Sequence, residues 1–388
     1  WAFAHVKIMS ELDWFFEDQS CNVNITQNST QDKKIVEVLI RAASEGNVQK
    51  VKEIITTKNI CPNSKHNGFS ALHSAVKKNH LEVVEYIYSL PGVDTEIQTN
   101  DFRTPFLMAC AEGNIGIVRL FVQKFEAENH EPFKGLQKTP SGQTALHFAA
   151  YNGHISTLDF LLKSTYYDIN CKTEDGLTPL MLAVSANQQE TVKFLCSIEE
   201  CNVAATTNTG QNCLHKAAYL GHFELVSYLV TNNRIPVDSM TSEKMTALHF
   251  AAMGGHENII MMLLKNPQVD AFCITQAGQT ALHKSCSAGH FNVVRTLFSC
   301  LPHPSIDVNL QDNDGLTPLH LAAAVGSHQI VKFLLQQPGI DISIEDGVGE
   351  DAEDAAVKAS KSGFKRLAAM LTKQLYIQTR LSNICNSL

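Results

Sequence analysis

The sequence predicts an all-α solenoid of stacked helix-turn-helix units with short β-hairpin-like fingers between them. The first observation is a repeated register. Ser70, Thr104, Thr144, Thr178, Asn212, Thr246, Thr280 and Thr317 occupy equivalent positions, separated by 34, 40, 34, 34, 34, 34 and 37 residues. The second is that each period holds the signals to start, pack and stop one short helix and then begin another. A unit of this size cannot bury its own apolar face, whereas stacked units share a continuous core.

The signals follow one another in a fixed order. Thr, Ser or Asn caps the first helix by accepting from a free backbone N–H. Pro105, Pro179 and Pro318 follow at the first helical position, where a missing N–H costs nothing. Paired small residues such as Ala149–Ala150 and Ala251–Ala252 let helices approach closely. Gly113, Gly153, Gly221, Gly255, Gly289 and Gly326 then end the helix in a left-handed conformation. Asn79 and Asn187 stand in twice, as the residue that next best tolerates that geometry. The second helix carries an apolar stripe, for example Val83, Val84 and Ile87, or Ile330, Val331, Leu334 and Leu335. Segments such as PGVDTEIQTND and YDINCKTEDG read as extended fingers with a tight turn.

Six copies, SALHSAVKKNH, TALHFAAYNGH, NCLHKAAYLGH, TALHFAAMGGH, TALHKSCSAGH and TPLHLAAAVGS, resemble the core of the ankyrin-repeat family, and the resemblance extends over roughly residues 32–375. TPFLMACAEGN and TPLMLAVSANQ depart from it, with Leu107 and Met181 at the histidine position. The resemblance implies about ten repeats: a capping repeat at 32–66, eight repeats over 67–346 and a degenerate closing repeat at 347–375 with Gly363. Insertions fall near 124–140 and 300–309, adding six and three residues. Residues 1–31 read as an aromatic-rich segment, with Val6, Met9, Leu12 and Phe16 in a partial helical stripe, followed by a polar linker. Residues 376–388 read as a helical tail leading towards a further domain, and the start at Trp1 reads as that of a fragment.

Composition narrows the function. The chain is 44% hydrophobic and 18% charged, ordinary for a folded protein. A net charge of −8 opposes nucleic-acid binding, which needs a basic footprint. No apolar run approaches the ~20 residues of a membrane helix, so no membrane insertion is expected of this segment. The 11 scattered cysteines, without a C-x-x-C pair, read as reduced thiols of a cytoplasmic protein, with the nucleus left open.

No catalytic, cofactor or metal site is expected. His73, His147, His215, His249, His283 and His320 recur once per repeat. Stacked helices lie ~8–10 Å apart, whereas zinc ligands sit ~2.1 Å from one ion, so equivalent histidines cannot share a site. The family resemblance implies that they bridge backbone groups within and between repeats. His80, His154, His222, His256 and His290 follow the Gly or Asn at the helix end. The G-x-G-x-x-A match at Gly347–Ala352 is surrounded by carboxylates that repel a pyrophosphate. The segment Gln311–Gly315 lacks the first and last carboxylates of a calcium loop and reads as a finger turn. The acidic run Glu345–Asp354 reads as the carboxylate-rich start of a helix.

What remains is binding. The family resemblance implies that finger tips and the exposed side of the first helices hold a protein partner on a concave surface. Mapped by register, the candidate residues are Phe69, Lys77, Lys78, Phe102, Arg103, Tyr151, Asn152, Tyr219, Leu220, Met245, Met253, Leu316 and Val325. Tyr151, Tyr219, Met245 and Met253 are the expected anchors, since interface cores favour aromatic residues and Met. The function expected is a non-catalytic protein-protein interaction scaffold. The alternatives are the cytosolic ankyrin arm of an ion channel or other membrane protein, and the targeting region of a larger enzyme or ubiquitin-ligase adaptor.

Overall fold

The computed structural model describes residues 30–129, 137–164, 167–301 and 306–354, with 369, 371–373 and 376. Repeat 1 pairs α1 (Thr30–Ser44) with α2 (Val48–Lys58). The hairpin β1 (Lys65–His66) and β2 (Phe69–Ser70) leads into repeat 2, made of α3 (Ala71–Lys77) and α4 (Leu81–Tyr88). Repeats 3, 4 and 5 are α5 (Pro105–Glu112) with α6 (Ile115–Asn129), α7 (Ala145–Tyr151) with α8 (Ile155–Ser164), and α9 (Pro179–Ser185) with α10 (Gln189–Ser197). Repeats 6 and 7 are α11 (Cys213–Leu220) with α12 (Phe223–Thr231), and α13 (Ala247–Gly254) with α14 (Glu257–Leu264). Repeats 8 and 9 are α15 (Ala281–Ser287) with α16 (Phe291–Cys300), and α17 (Pro318–Val325) with α18 (His328–Leu334).

First helices pack on first helices along the array and second helices on second helices, and each pair closes the two layers on one core. The expected small residues line the seam. Ala149, Ala150, Ala217, Ala218, Ala251, Ala252, Ala322 and Ala323 are wholly shielded, as are Val83, Val84, Ile259, Ile260, Ile330 and Val331 from the second helices. Leu107 and Met181, at the histidine position, are equally buried and simply extend the core.

The helix ends follow the sequence. Side-chain oxygens of Ser70, Thr104, Thr178, Asn212, Thr280 and Thr317 accept from the backbone N–H three residues on. The six predicted C-terminal glycines have φ between 72° and 82°, and Asn79 and Asn187 adopt 59° and 56°. At Gly255 the left-handed φ is joined by a close approach, because a Cβ there would lie 2.8 Å from the His290 ring. Only Gly fits both demands.

Fingers are narrower than hairpins. Apart from the β1–β2 pair, each described finger is one tight turn. Thr173 N–H donates to Leu177 O at 2.9 Å, Gly176 N–H returns to Thr173 O at 2.9 Å, and the Thr173 hydroxyl accepts from Leu177 N–H. The same arrangement recurs from Thr99, Thr139, Thr207, Thr241, Thr275, Asp312 and Asp346. Neighbouring fingers from repeat 4 onward are tied by backbone bonds of 2.8–3.2 Å, from Glu174 N–H to Ser141 O through to Gly347 N–H to Asp314 O.

Three local expectations change, and others fall outside the described residues. Helix α1 begins at Thr30, inside the predicted linker. The six-residue insertion is partly absorbed by α6, which runs for 15 residues where α4 has 8. The acidic run divides: Glu345, Asp346 and Glu350 lie on a finger, and a helical turn starts only at Ala352, where Asp351 accepts from Glu353 and Asp354 N–H. Finally, the N-terminal stripe, the core of the six-residue insertion, Gly363 and most of the closing repeat, and the C-terminal stripe lie outside the described residues.

Candidate protein-binding face

Two ladders of side chains hold the repeats in register, and what they leave free defines the face. In the first ladder the backbone N–H of each cap (Ser70, Thr144, Asn212, Thr246, Thr280 and Thr317) donates to the following histidine's Nδ1 at 3.1–3.3 Å. With Nδ1 occupied as an acceptor, Nε2 carries the proton. It donates to a carbonyl of the next repeat: Arg103, Leu177, Ser239, Gln279, Leu310 and Glu350, at 2.8–3.2 Å. Each ring therefore joins two repeats through their backbone groups, and the Ser or Thr cap hydroxyl also lies 2.8–3.0 Å from Nδ1 in five of the six. Burial lowers the pKa of His73, His147, His215 and His249 to about 4 and moves His283 the same way. These five rings are neutral at physiological pH.

The second ladder runs the opposite way. Nε2 of His80, His154, His222, His256 and His290 donates at 2.8–3.4 Å to Ser44, Ala111, Ser185, Tyr219 and Met253 O at the end of the preceding first helix. These carbonyls have no intrahelical partner. Gln188 makes the equivalent bond to Tyr151 O, and Asn114 to Val76 O. The sequence signal for this ladder was present, a His, Gln or Asn directly after every helix-ending Gly or Asn except Gly326, which Ser327 follows. At repeat 3, where Leu107 replaces the histidine, Thr104 Oγ1 donates instead to Gln137 Oε1 at 2.6 Å. Gln137 Nε2 in turn donates to the Glu96 carboxylate, whose pKa burial raises.

The candidate residues divide by exposure. Tyr151, Tyr219, Leu220 and Val325 stand 49%, 41%, 41% and 48% exposed at the ends of α7, α11 and α17. Lys77, Lys78 and Asn152 are exposed beside them. Phe69 and Met253 are half-buried against the core, and Leu316 is half-buried. Met245 is not on the face: it is 6% exposed and packs in the core. Met245 shares the finger turn of Arg103, Leu177 and Leu316, bonded to Thr241 through its N–H and O, but unlike them its side chain is buried in the core.

Phe102 occupies the finger position that Gly142, Gly176, Gly210, Gly278 and Gly315 hold elsewhere, with φ +58° and half its surface exposed. A bulky residue in the left-handed region is strained. Next to it the Arg103 guanidinium lies 4.9 Å over the Phe148 ring of α7, so finger and helix face are continuous. Lys77 lies 5.4 Å over Phe69 in the same way, and Tyr219 meets Phe250 of α13 edge-on at 6.3 Å.

Residue selection by register missed the middle of the face. Four positions after the cap stand Lys216, Lys284 and Leu321, which are half-buried, and Phe148 and Phe250, which are only 8% and 6% exposed and belong to the core. This position varies between repeats while the Leu-His and Ala positions around it stay nearly constant, and that variation was the available signal. Desolvation lowers the pKa of the Lys216 and Lys284 amines, opposed by Asp175 at the first and by Glu243 and Asp312 at the second. Among the described residues no group of three or more His, Cys, Asp or Glu could hold a metal ion, and no helix is long and apolar enough to cross a membrane.

A one-dimensional array with a fixed backbone-bridging framework and a variable exposed face is a repeat solenoid. The family model described as "Ankyrin repeats (3 copies)" matches in overlapping stretches at 9–99, 88–173, 106–207, 164–240, 198–273, 235–311 and 267–346, and the chain belongs to the ankyrin-repeat family. It is similar to the human SMC5-SMC6 complex localization factor protein 1, with 35% identity over 151 residues, 37% of this chain and 13% of that protein. It is also similar to human ankyrin repeat domain-containing protein 39, with 34% identity over 73 residues, 19% of this chain and 36% of that protein. With alpha-latrotoxin-Lg1a of Latrodectus geometricus it shares 30% identity over 97 residues, 25% of this chain and 7% of the toxin. The chain thus spans only a minor part of the curated relatives it matches.

Proposed function

We propose that the chain is a non-catalytic scaffold that holds a protein partner on its fingers and on the exposed face of the first-helix layer. The observation that carries this reading is the exposure of Tyr151, Tyr219, Leu220 and Val325, whose side chains neither ladder uses. Histidines, glycines and caps are committed to stacking, so their chemistry is spent within the fold. The free positions hold large aromatic and aliphatic groups of the kind that anchor interfaces. The name of the human relative, a localization factor for a protein complex, supports an adaptor that brings an assembly to a place.

The test is the double variant Tyr151→Ala/Tyr219→Ala in the full chain. Partner capture is expected to fall at least tenfold while the array keeps its helical signal and a cooperative melt. Capture by the folded double variant at the level of the parent chain contradicts the reading.

A further inference from the structure

The binding face is electrically polarised along the array. Finger plus first helix of repeat 2, residues 65–78, carry Lys65, Lys77 and Lys78 and no carboxylate. The same elements of repeat 4, residues 139–152, carry no charged side chain and end on Tyr151. In the same elements repeat 3 carries Asp101, Arg103 and Glu112, and repeat 5 carries Glu174 and Asp175. Repeats 6, 7 and 8 carry Lys216, the pair Glu243–Lys244, and Lys284, so the charges of the middle nearly cancel. The far end differs. Between residues 306 and 354 the chain has ten carboxylates and a single lysine, Lys332, which lies on the second-helix layer in α18. Asp314 and Glu345 are exposed on adjacent fingers, which are tied by the Gly347 N–H to Asp314 O bond of 2.8 Å and by Gln311 Nε2 donating to Glu345 O at 2.9 Å.

We propose that the partner lies along this face as an extended segment with one polarity: carboxylates over repeat 2, aromatic or aliphatic anchors over repeats 3 to 7, and lysines or arginines over the fingers of repeat 9 and residues 345–354. The proposal rests on the reading of the face as the binding site and adds direction and charge order to it. Complementary potentials steer encounter and fix register more than they add affinity, and a fixed register is what a long uniform groove otherwise lacks. With first helices ~10 Å apart, the seven steps from repeat 2 to repeat 9 cover ~70 Å, which an extended chain rising ~3.3 Å per residue spans in ~20 residues. Phe102 marks the boundary between the basic end and the apolar middle.

The experiment displays random 24-residue peptides on phage and selects them on the full chain. Enriched peptides are expected to carry Asp or Glu at one end, Lys or Arg at the other and aromatic residues between. Binding of a selected peptide should fall at least tenfold on the Lys77→Glu/Lys78→Glu variant, with recovery when its acidic end is changed to lysines. It should fall likewise on Asp314→Lys/Glu345→Lys, with recovery when its basic end is changed to glutamates. These four side chains belong to neither ladder, and far-ultraviolet circular dichroism checks that the variants remain folded. Enriched peptides lost on Tyr151→Ala/Tyr219→Ala but indifferent to both charge reversals overturn the polarity alone. Peptides that still bind the tyrosine variant overturn the site itself, and a selection that enriches nothing overturns both.

Discussion

His249 shows at the residue scale how one side chain fastens two repeats. Its Nδ1 accepts from Thr246 N–H at 3.2 Å and its Nε2–H donates to Gln279 O at 3.2 Å, in a site with no measurable exposure. His249→Ala removes both bonds, leaves buried backbone groups unpaired and is expected to cost ~2–4 kcal/mol, read by urea unfolding. A loss below ~1 kcal/mol would mean that the bonds are replaced by water. Phe102 is the opposite case, a residue that the fold tolerates at a cost. Phe102→Gly relieves a left-handed strain of ~1–2 kcal/mol against ~0.5–1 kcal/mol of added chain entropy. A small rise in melting temperature is therefore expected, together with weaker partner binding. A stability loss on this substitution contradicts the strain assignment.

At the scale of the element, helix boundaries were legible because their causes are local. A Thr, Ser or Asn cap, in three repeats a proline one residue later, and a left-handed Gly or Asn nine residues after the cap act through hydrogen bonds within a few residues. Gly255 shows where the cause extends beyond its own repeat. Gly255→Ala places a methyl against the His290 ring and strains a backbone at φ +80°, so a loss of ~1–3 kcal/mol is expected in a thermal melt. A neutral result would require the His290 bond to Met253 O to give way. The site was less legible for the same reason. Met245 is adjacent to its cap, as Phe69 and Leu316 are, and of the three it alone is buried, which position relative to the cap does not reveal. Phe102 and Lys244 stand two residues before their caps, in register with the finger glycines, so their departure from glycine was visible in the same alignment. Lys216 and Lys284 were overlooked because their position varies, and variation is informative only once the neighbouring positions are known to be structural.

On the scale of the whole molecule the buried histidines act together. Their folded pKa of about 4 in His73, His147, His215 and His249 lies below the ~6.5 of an exposed imidazole. Above pH ~6.5 the rings are neutral in both states and the stabilisation is complete. As pH falls towards 4 the unfolded chain binds protons that the folded chain cannot, so stability declines across that window. Melts between pH 7 and pH 4 should show this decline, with a shallower slope for His249→Gln; a flat profile would mean that the rings titrate freely in the fold. The described cysteines respond to the same burial. Cys61 and Cys300 are exposed, while burial pushes the Cys201 thiol up to about 11 and that of Cys196 to about 12.

The account's central claim is that framework and binding share the array by position: two histidine-rich ladders stack the repeats, and the free face of the first-helix layer holds the partner. Hydrogen–deuterium exchange of the full chain with and without a captured partner, or with a peptide selected on it, tests this most directly. The account predicts new protection in the fingers and first-helix ends of repeats 4 to 7, including the amides around Tyr151 and Tyr219, with α8, α10, α12 and α14 unchanged. Protection concentrated on those second helices, with the finger and first-helix amides unaltered, would contradict it.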